Sequence, residues 1–125
     1  MIDYLEKNRR FAILFMVLIA AEIFLVSSIP FGASIAKGID ASMFYHFLVF
    51  FLFNFFAILS MAKRGNKKMK FLIFPITISI LYAILDEIHQ IFVPFRTPSA
   101  GDVLIDISGI LISAIVYLLY KKSRK

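Results

Sequence analysis

Residues 81–113 read LYAILDEIHQIFVPFRTPSAGDVLIDISGILIS, two apolar segments that carry acidic residues and are joined by a turn containing two prolines. An ionised carboxylate at the centre of a membrane helix costs at least about 2.5 kcal/mol, so such residues are functional candidates. At about 100° per residue, Asp86, Glu87 and Gln90 share one face of the first segment, and His89 lies at its flank. The pattern predicts a helix with one polar face.

The second segment repeats a polar stripe at helical spacing. Asp102, Asp106, Gly109 and Ser113 lie at i, i+4, i+7 and i+11, with acids at one end and small residues further along. Small side chains let helices approach closely, so the stripe predicts acids that point into a helix bundle.

The whole chain has the composition of a membrane protein. Its 125 residues are 61% hydrophobic, include 15 Phe, and have a mean hydropathy of +0.88. Four stretches can cross about 30 Å of hydrocarbon at about 1.5 Å per residue, and lipid forces them to be helical. The sequence predicts an all-α integral membrane protein, one domain over residues 1–125, with a four-transmembrane-helix bundle at 11–29, 43–62, 71–93 and 103–120.

Basic residues predict the orientation of the bundle. Of 14 Lys and Arg, 12 lie at the N-terminus, in residues 63–70 and at the C-terminus, whereas the alternate loops carry only Lys37 and Arg96. The positive-inside rule therefore places both termini in the cytoplasm, in a multi-pass protein of the plasma membrane.

Polar groups from all four predicted helices fall at one depth. Glu22 and His46 join Asp86 and Asp106 within roughly 5–11 Å of the outer membrane boundary. Arg96, in the turn, is predicted to lie over the carboxylates, where its guanidinium could neutralise them or bind a phosphate group of a ligand. Thr97 and Ser99 are candidates for further hydrogen-bond donors. The alternative is an ion pair between Asp86 and Arg96 that closes the helical hairpin. Asn54 and the Phe-rich run at 44–56 are interpreted as interhelical hydrogen bonding and as lipid-facing bulk.

Residues 81–113 resemble the VanZ-like family of small membrane proteins. The family pattern is Asp-Glu-x-x-Gln at a helix end, a Pro-Gly-Arg turn, and Asp-x-x-x-Asp-x-x-Gly in the next helix. The matching positions are Asp86, Glu87, Gln90, Pro94, Arg96, Asp102, Asp106 and Gly109. Phe95 departs from it, because the family usually has Gly there.

The resemblance implies a role in the cell envelope, since the founding member is associated with resistance to the glycopeptide teicoplanin. It implies no reaction, so several functions stay open. One is an enzyme of phosphoryl or glycosyl transfer on an envelope lipid or lipid-linked precursor. The others are a binding module for such a lipid, precursor or amphiphilic antibiotic, a structural membrane subunit, and a proton-coupled transporter. Candidate catalytic residues are Asp86, Glu87, His89, Asp106 and His46, and candidate substrate-binding residues are Arg96, Gln90, Asp102, Glu22, Thr97 and Ser99.

Expected partners are membrane lipids and a lipid-linked precursor or glycopeptide. Nucleic acid is not expected, because the aromatic residues lie inside apolar runs rather than on a basic surface. A Mg-like divalent ion on Asp86, Asp102 and Asp106 is one candidate cofactor, since all three ligands are oxygens. The sequence leaves the cofactor and the oligomeric state open.

The orientation gives a direct prediction. A reporter enzyme that is active only in the cytoplasm is expected to be active when fused after Lys125 and inactive when inserted at Thr97, because 12 of the 14 basic residues favour the cytoplasmic side. Activity measured in intact cells checks this. The reverse pattern would contradict the predicted orientation.

Overall fold

The computed structural model describes residues 1–30, 39–62 and 69–123. Within these ranges the chain is helical and contains no strand. Four helices are long and apolar enough to cross a membrane, which confirms the predicted all-helical membrane architecture. Part of the basis for the predicted orientation lies outside the described residues, namely Lys37, residues 63–68, Arg124 and Lys125. The helices are α1 (Ile2–Lys7), α2 (Arg9–Ser27), α3 (Ile39–Met61), α4 (Ile73–Gln90) and α5 (Ala100–Ser123).

The turn between α4 and α5 differs from the prediction at both ends. We predicted a helix to residue 93, but α4 ends at Gln90. Pro94 follows closely, and a proline disfavours helical geometry at the residue before it. We predicted a start at residue 103, but α5 begins at Ala100 because Ser99 caps it. The Ser99 hydroxyl accepts the Gly101 N–H at 3.1 Å.

The short helix α1 was not predicted. It packs at the end of the bundle where α3 finishes and α4 begins, with Leu5 and Glu6 buried. The Glu6 carboxylate accepts hydrogen bonds from the Tyr117 hydroxyl and the Lys121 ammonium group, both at 2.7 Å. These contacts tie the N-terminus to the end of α5. We call the other end of the bundle, where α2 and α4 finish and α3 and α5 begin, the polar end.

Helix α3 is the central helix of the bundle. It packs most extensively against α5 and also contacts α1, α2 and α4. The prediction that its Phe-rich run faces lipid is wrong for Phe50, Phe53 and Phe55, which are buried, and holds for Phe44, which is 66% exposed. A helix that is surrounded on several sides is apolar around most of its circumference. Its sequence therefore shows no distinct polar face that would indicate which side is buried.

Polar side chains also lie in the middle of the bundle. The Asn54 amide donates to the Ser113 hydroxyl at 2.7 Å and to the Ile110 carbonyl at 3.0 Å. The Ser79 hydroxyl donates to the Asn54 carbonyl at 2.9 Å. Asn54 therefore links α3, α4 and α5, as the sequence interpretation expected.

Gly109 sets the distance between α3 and α5. A Cβ atom at Gly109 would overlap the carbonyl oxygen of Phe47 and lie 3.1 Å from the Phe51 nitrogen. Both neighbours are backbone atoms of α3, which cannot rotate away as a side chain can. The two helices can approach this closely only because residue 109 has no side chain.

Gly109→Ala is expected to destabilise the protein by about 1–3 kcal/mol, the usual cost of overpacking a well-packed interior. Thermal unfolding in detergent, followed by circular dichroism, measures the effect. Gly101→Ala is the matched control, because its added Cβ meets only the Ser99 hydroxyl oxygen, at 3.2 Å. Equal stability of the two variants would contradict the role assigned to Gly109.

Candidate functional site

A histidine and an aspartate meet between α3 and α5 at the polar end. The Nδ1 atom of His46 lies 3.0 Å from Oδ1 of Asp106. His46 is 6% exposed and Asp106 is fully buried. The pair lies one helical turn from the close approach at Gly109, so the packing of α3 on α5 positions both side chains.

Three residues of α4 add further polar groups. Asp86, Glu87 and Gln90 are all buried, and the Gln90 amide donates to Asp86 at 3.1 Å and to Glu87 at 3.4 Å. Ser27 of α2 hydrogen-bonds to Asp86 through its hydroxyl. A ring nitrogen of His46 and one carboxylate oxygen each of Glu87 and Asp106 lie within 4.8 Å of one another. We call Ser27, His46, Asp86, Glu87, Gln90 and Asp106 the polar cluster.

Glu87 connects this cluster to the start of α5. One of its carboxylate oxygens accepts the Ser99 backbone N–H at 2.8 Å. Ser99 also caps α5, so a carboxylate lies beside the positive end of that helix dipole, a favourable arrangement. The turn between α4 and α5 is thus fixed to the polar cluster by a hydrogen bond from its backbone.

Arg96 holds the end of α2. Its guanidinium donates to the Val26 carbonyl at 2.6 Å and to the Ile29 carbonyl at 3.1 Å. The Val26 carbonyl also accepts the Ile29 backbone N–H at 3.2 Å, so the guanidinium adds a second hydrogen bond there. A cation at this position also complements the helix dipole. Partial burial lowers the pKa of Arg96, and the charges of Asp86 and Glu87 oppose that decrease. The residue stays charged, since arginine cannot be deprotonated in proteins.

Other predicted site residues lie around the cluster rather than in it. His89 is half-buried, stacks on Phe24 with ring centroids 4.8 Å apart, and lies 2.9 Å from the Ser28 hydroxyl. Glu22 is exposed and accepts the Tyr45 hydroxyl at 2.8 Å. Asp102 is half-buried, and Thr97 is exposed.

Two residues that hydrogen-bond to predicted site residues carry little signal in the sequence. Ser27 is a common residue near a helix end, and only its partner Asp86, 59 positions away, distinguishes it. Tyr45 precedes His46 in the chain but bonds to Glu22 on another helix. A covarying pair in related sequences is the kind of signal that finds such contacts.

A groove on the outside of the bundle reaches the polar cluster. It lies between α4 and α5, has a volume of about 230 Å³, and includes Glu87 and Ser99 in its wall. The rest of its wall is almost entirely apolar. The other lining residues are Ile84, Ile88, Ile91, Pro98, Ala100 and Val103.

Comparison with known families places the chain. The VanZ/LLP1 family matches residues 6–121, nearly the full length. The chain belongs to the VanZ/LLP1 family. This confirms the resemblance drawn from residues 81–113 and extends it over all four long helices. Searches of curated proteins and of solved structures give no significant match.

Phe95 is where this VanZ/LLP1 chain departs from the Gly of the family's turn pattern. It is the one non-glycine residue with positive φ in the described part of the chain, at 63°. Its side chain is 80% exposed, so packing compensates little for the conformation. A left-handed conformation costs a non-glycine residue about 1–2 kcal/mol. Phe95 therefore adopts the left-handed backbone conformation that glycine adopts without strain.

Phe95→Gly is expected to raise stability by up to about 1 kcal/mol, because relief of the left-handed conformation exceeds the added chain entropy of about 0.5–1 kcal/mol. Phe95→Ala controls for loss of the ring, since it keeps the unfavourable φ. Thermal unfolding of both variants in detergent makes the comparison. If the glycine variant were no more stable than the alanine variant, the positive φ would carry no measurable strain.

Proposed function

We propose that the protein is a cell-envelope enzyme that acts on the head of an envelope lipid or lipid-linked precursor at the polar end of the bundle. The observation that carries this proposal is the position of Glu87. It lines a groove open at the side of the bundle and also belongs to the buried cluster with His46 and Asp106. One residue thus joins a route of access to a set of acid and base groups.

The groove suits the apolar chain of a membrane amphiphile. Its walls are formed by aliphatic side chains of α4 and α5, and Ile84, Ile88 and Ile91 are 40%, 46% and 61% exposed. An acyl or isoprenoid chain lying there would exchange contacts with lipid for similar contacts with protein. Its head would then lie at the level of Glu87 and Ser99, where polar partners are available.

The cluster has the groups needed for proton transfer. Glu87 is the residue nearest the groove and is assigned the role of acid or base toward the head group. The His46 and Asp106 pair behind it can take up or supply a proton, and Asp86 is held by Gln90 and Ser27. The excess of carboxylates favours glycosyl transfer, because such transition states develop positive charge on the sugar. Phosphoryl transfer needs a cation in addition.

The site is assigned to the outer face of the plasma membrane. The distribution of basic residues supports this orientation, with both termini in the cytoplasm. A lipid-linked envelope precursor presents its head group on that face after transfer across the membrane. The family resemblance suggests a role in resistance to teicoplanin, an amphiphilic glycopeptide. A site on the outer face agrees with such a role.

The arrangement of Arg96 favours a second function, binding without reaction. Its guanidinium was expected to grip phosphate, yet it donates to carbonyls at the end of α2. Gln90 likewise bridges two carboxylates. Side chains whose hydrogen bonds are made within the protein can form the fixed lining of a binding site. A binding module would hold an envelope lipid, precursor or glycopeptide in the groove and release it unchanged.

The enzyme proposal predicts that Glu87→Gln abolishes conversion of an envelope lipid while the protein stays folded, because the amide cannot exchange a proton. Purified wild type and variant are incubated with extracted envelope lipids, and mass spectrometry compares the lipids before and after. Glu6→Gln is the control, a buried carboxylate at the opposite end of the bundle. Wild type and Glu6→Gln are expected to convert the same lipid.

Access through the groove is tested separately by Ala100→Phe, which fills the groove without changing charge. Leu111→Phe is the control, since Leu111 is 47% exposed elsewhere on α5. Only Ala100→Phe is expected to lose conversion and stabilisation by added lipid. Stabilisation of the wild type without any product would favour the binding module. No stabilisation and no product with any lipid extract would count against both functions.

A further inference from the structure

Three buried side chains at the polar end have the geometry of metal ligands. Donor atoms of His46, Glu87 and Asp106 lie within 4.8 Å of one another, and the His46 and Asp106 atoms are 3.0 Å apart. With bonds of about 2.0–2.2 Å, two ligands of one ion lie roughly 3–4 Å apart. The Nδ1 atom of His46 and Oδ1 of Asp106 already have this separation, so an ion bound by both would replace their hydrogen bond and would lie beside Oδ2 of the same carboxylate. The Glu87 oxygen lies within 4.8 Å of the other two ligand atoms, so a small shift of its side chain brings it to the same ion.

A second observation points to a missing partner. The Oδ2 atom of Asp106 is buried and, within the described part of the chain, has no hydrogen-bond partner. A buried carboxylate oxygen left without a partner destabilises the folded protein. The contact with His46 satisfies the other oxygen, Oδ1, and leaves Oδ2 unexplained. A bound cation would supply the partner that this oxygen lacks.

We propose that His46, Glu87 and Asp106 bind a divalent transition-metal ion of the zinc or manganese class. This inference goes beyond the proposed function, because an ion there would make His46, Glu87 and Asp106 ligands in place of the proton-transfer groups assigned above. Metal binding is testable whether or not the protein is an enzyme. Three protein ligands would leave coordination positions for water or for a head group. The site would lie at the inner end of the groove, since Glu87 contributes to both.

The ligand types favour a transition metal over magnesium. Magnesium prefers an all-oxygen octahedron and keeps several waters, whereas imidazole suits zinc and related ions. This set shares only Asp106 with the all-carboxylate set considered from the sequence. The set found in the structure includes a histidine, His46, and the set considered from the sequence does not. This imidazole ligand changes the expected metal from Mg-like to Zn-like or Mn-like.

The surroundings hold the ligands as metal sites require. The Ser99 N–H and the Gln90 amide both bond to the Glu87 carboxylate and orient it. Groups that orient ligands in this way usually contribute 10- to 100-fold, roughly, to metal affinity. Asp86 adds a negative charge nearby without being one of the three ligands. A divalent ion would offset the excess of carboxylates buried together.

The test is metal uptake by the purified protein. Chelator-treated wild type in detergent is titrated with Zn²⁺, Mn²⁺ and Mg²⁺, and bound metal is measured after gel filtration by mass spectrometry. We expect one Zn²⁺ or Mn²⁺ per chain and binding of Mg²⁺ at least about tenfold weaker. Mn²⁺ bound at the site is also expected to lose its free-ion electron paramagnetic resonance signal.

Variants locate the bound ion. His46→Gln and Asp106→Asn are expected to weaken binding of Zn²⁺ by more than about tenfold, since each removes a direct ligand. Glu6→Gln is expected to bind as the wild type does. Helix content and elution volume show which variants are folded. Wild type that takes up neither Zn²⁺ nor Mn²⁺ overturns the proposal even if the variants fail to fold, and so does uptake that the folded variants retain.

Discussion

The contact between His46 and Asp106 depends on how closely α3 approaches α5. Gly109 permits that approach, because any side chain there would meet the backbone of α3. Asn54 fixes the same pair of helices further along, by bonding to Ser113 and to a carbonyl of α5. The two helices therefore present a histidine and an aspartate to each other in an interior with almost no contact with solvent. Ionisable groups in such surroundings are costly unless they are paired, so each of these two side chains depends on the other.

The polar end is then completed by α2 and α4. Ser27 and Gln90 hold Asp86, the backbone of Ser99 holds Glu87, and Arg96 holds the last carbonyls of α2. The Gln90–Asp86 bond lies within α4, and the other three contacts join different parts of the chain, so the site and the closing of the bundle share these hydrogen bonds. The groove gives this otherwise enclosed cluster an opening toward the side of the bundle. The proposed partner, an amphiphile that enters from the bilayer, fits an opening of this kind.

Much of this architecture was predictable, because lipid demands long apolar helices and every acidic residue inside them stands out. The inward direction of Asp106 was predictable too, since it shares a stripe with Gly109 on one helix. Contacts between helices were not, because the rotation of each helix about its axis is set by packing. Arg96 lies near Asp86 and Glu87, as expected, but its guanidinium hydrogen-bonds to carbonyls at the end of α2. Glu22 was expected in the shared polar layer but is exposed. The role of Glu6 was missed, because its partners lie more than 100 positions away.

His46 and Asp106 form a coupled pair across α3 and α5. A double-mutant cycle with His46→Gln and Asp106→Asn, read by the free energy of unfolding in detergent, measures that coupling. We expect a coupling energy of at least about 1 kcal/mol, because each single variant leaves the other polar group buried without its partner. Additive effects, within roughly 0.3–0.5 kcal/mol, would show that the two residues do not interact.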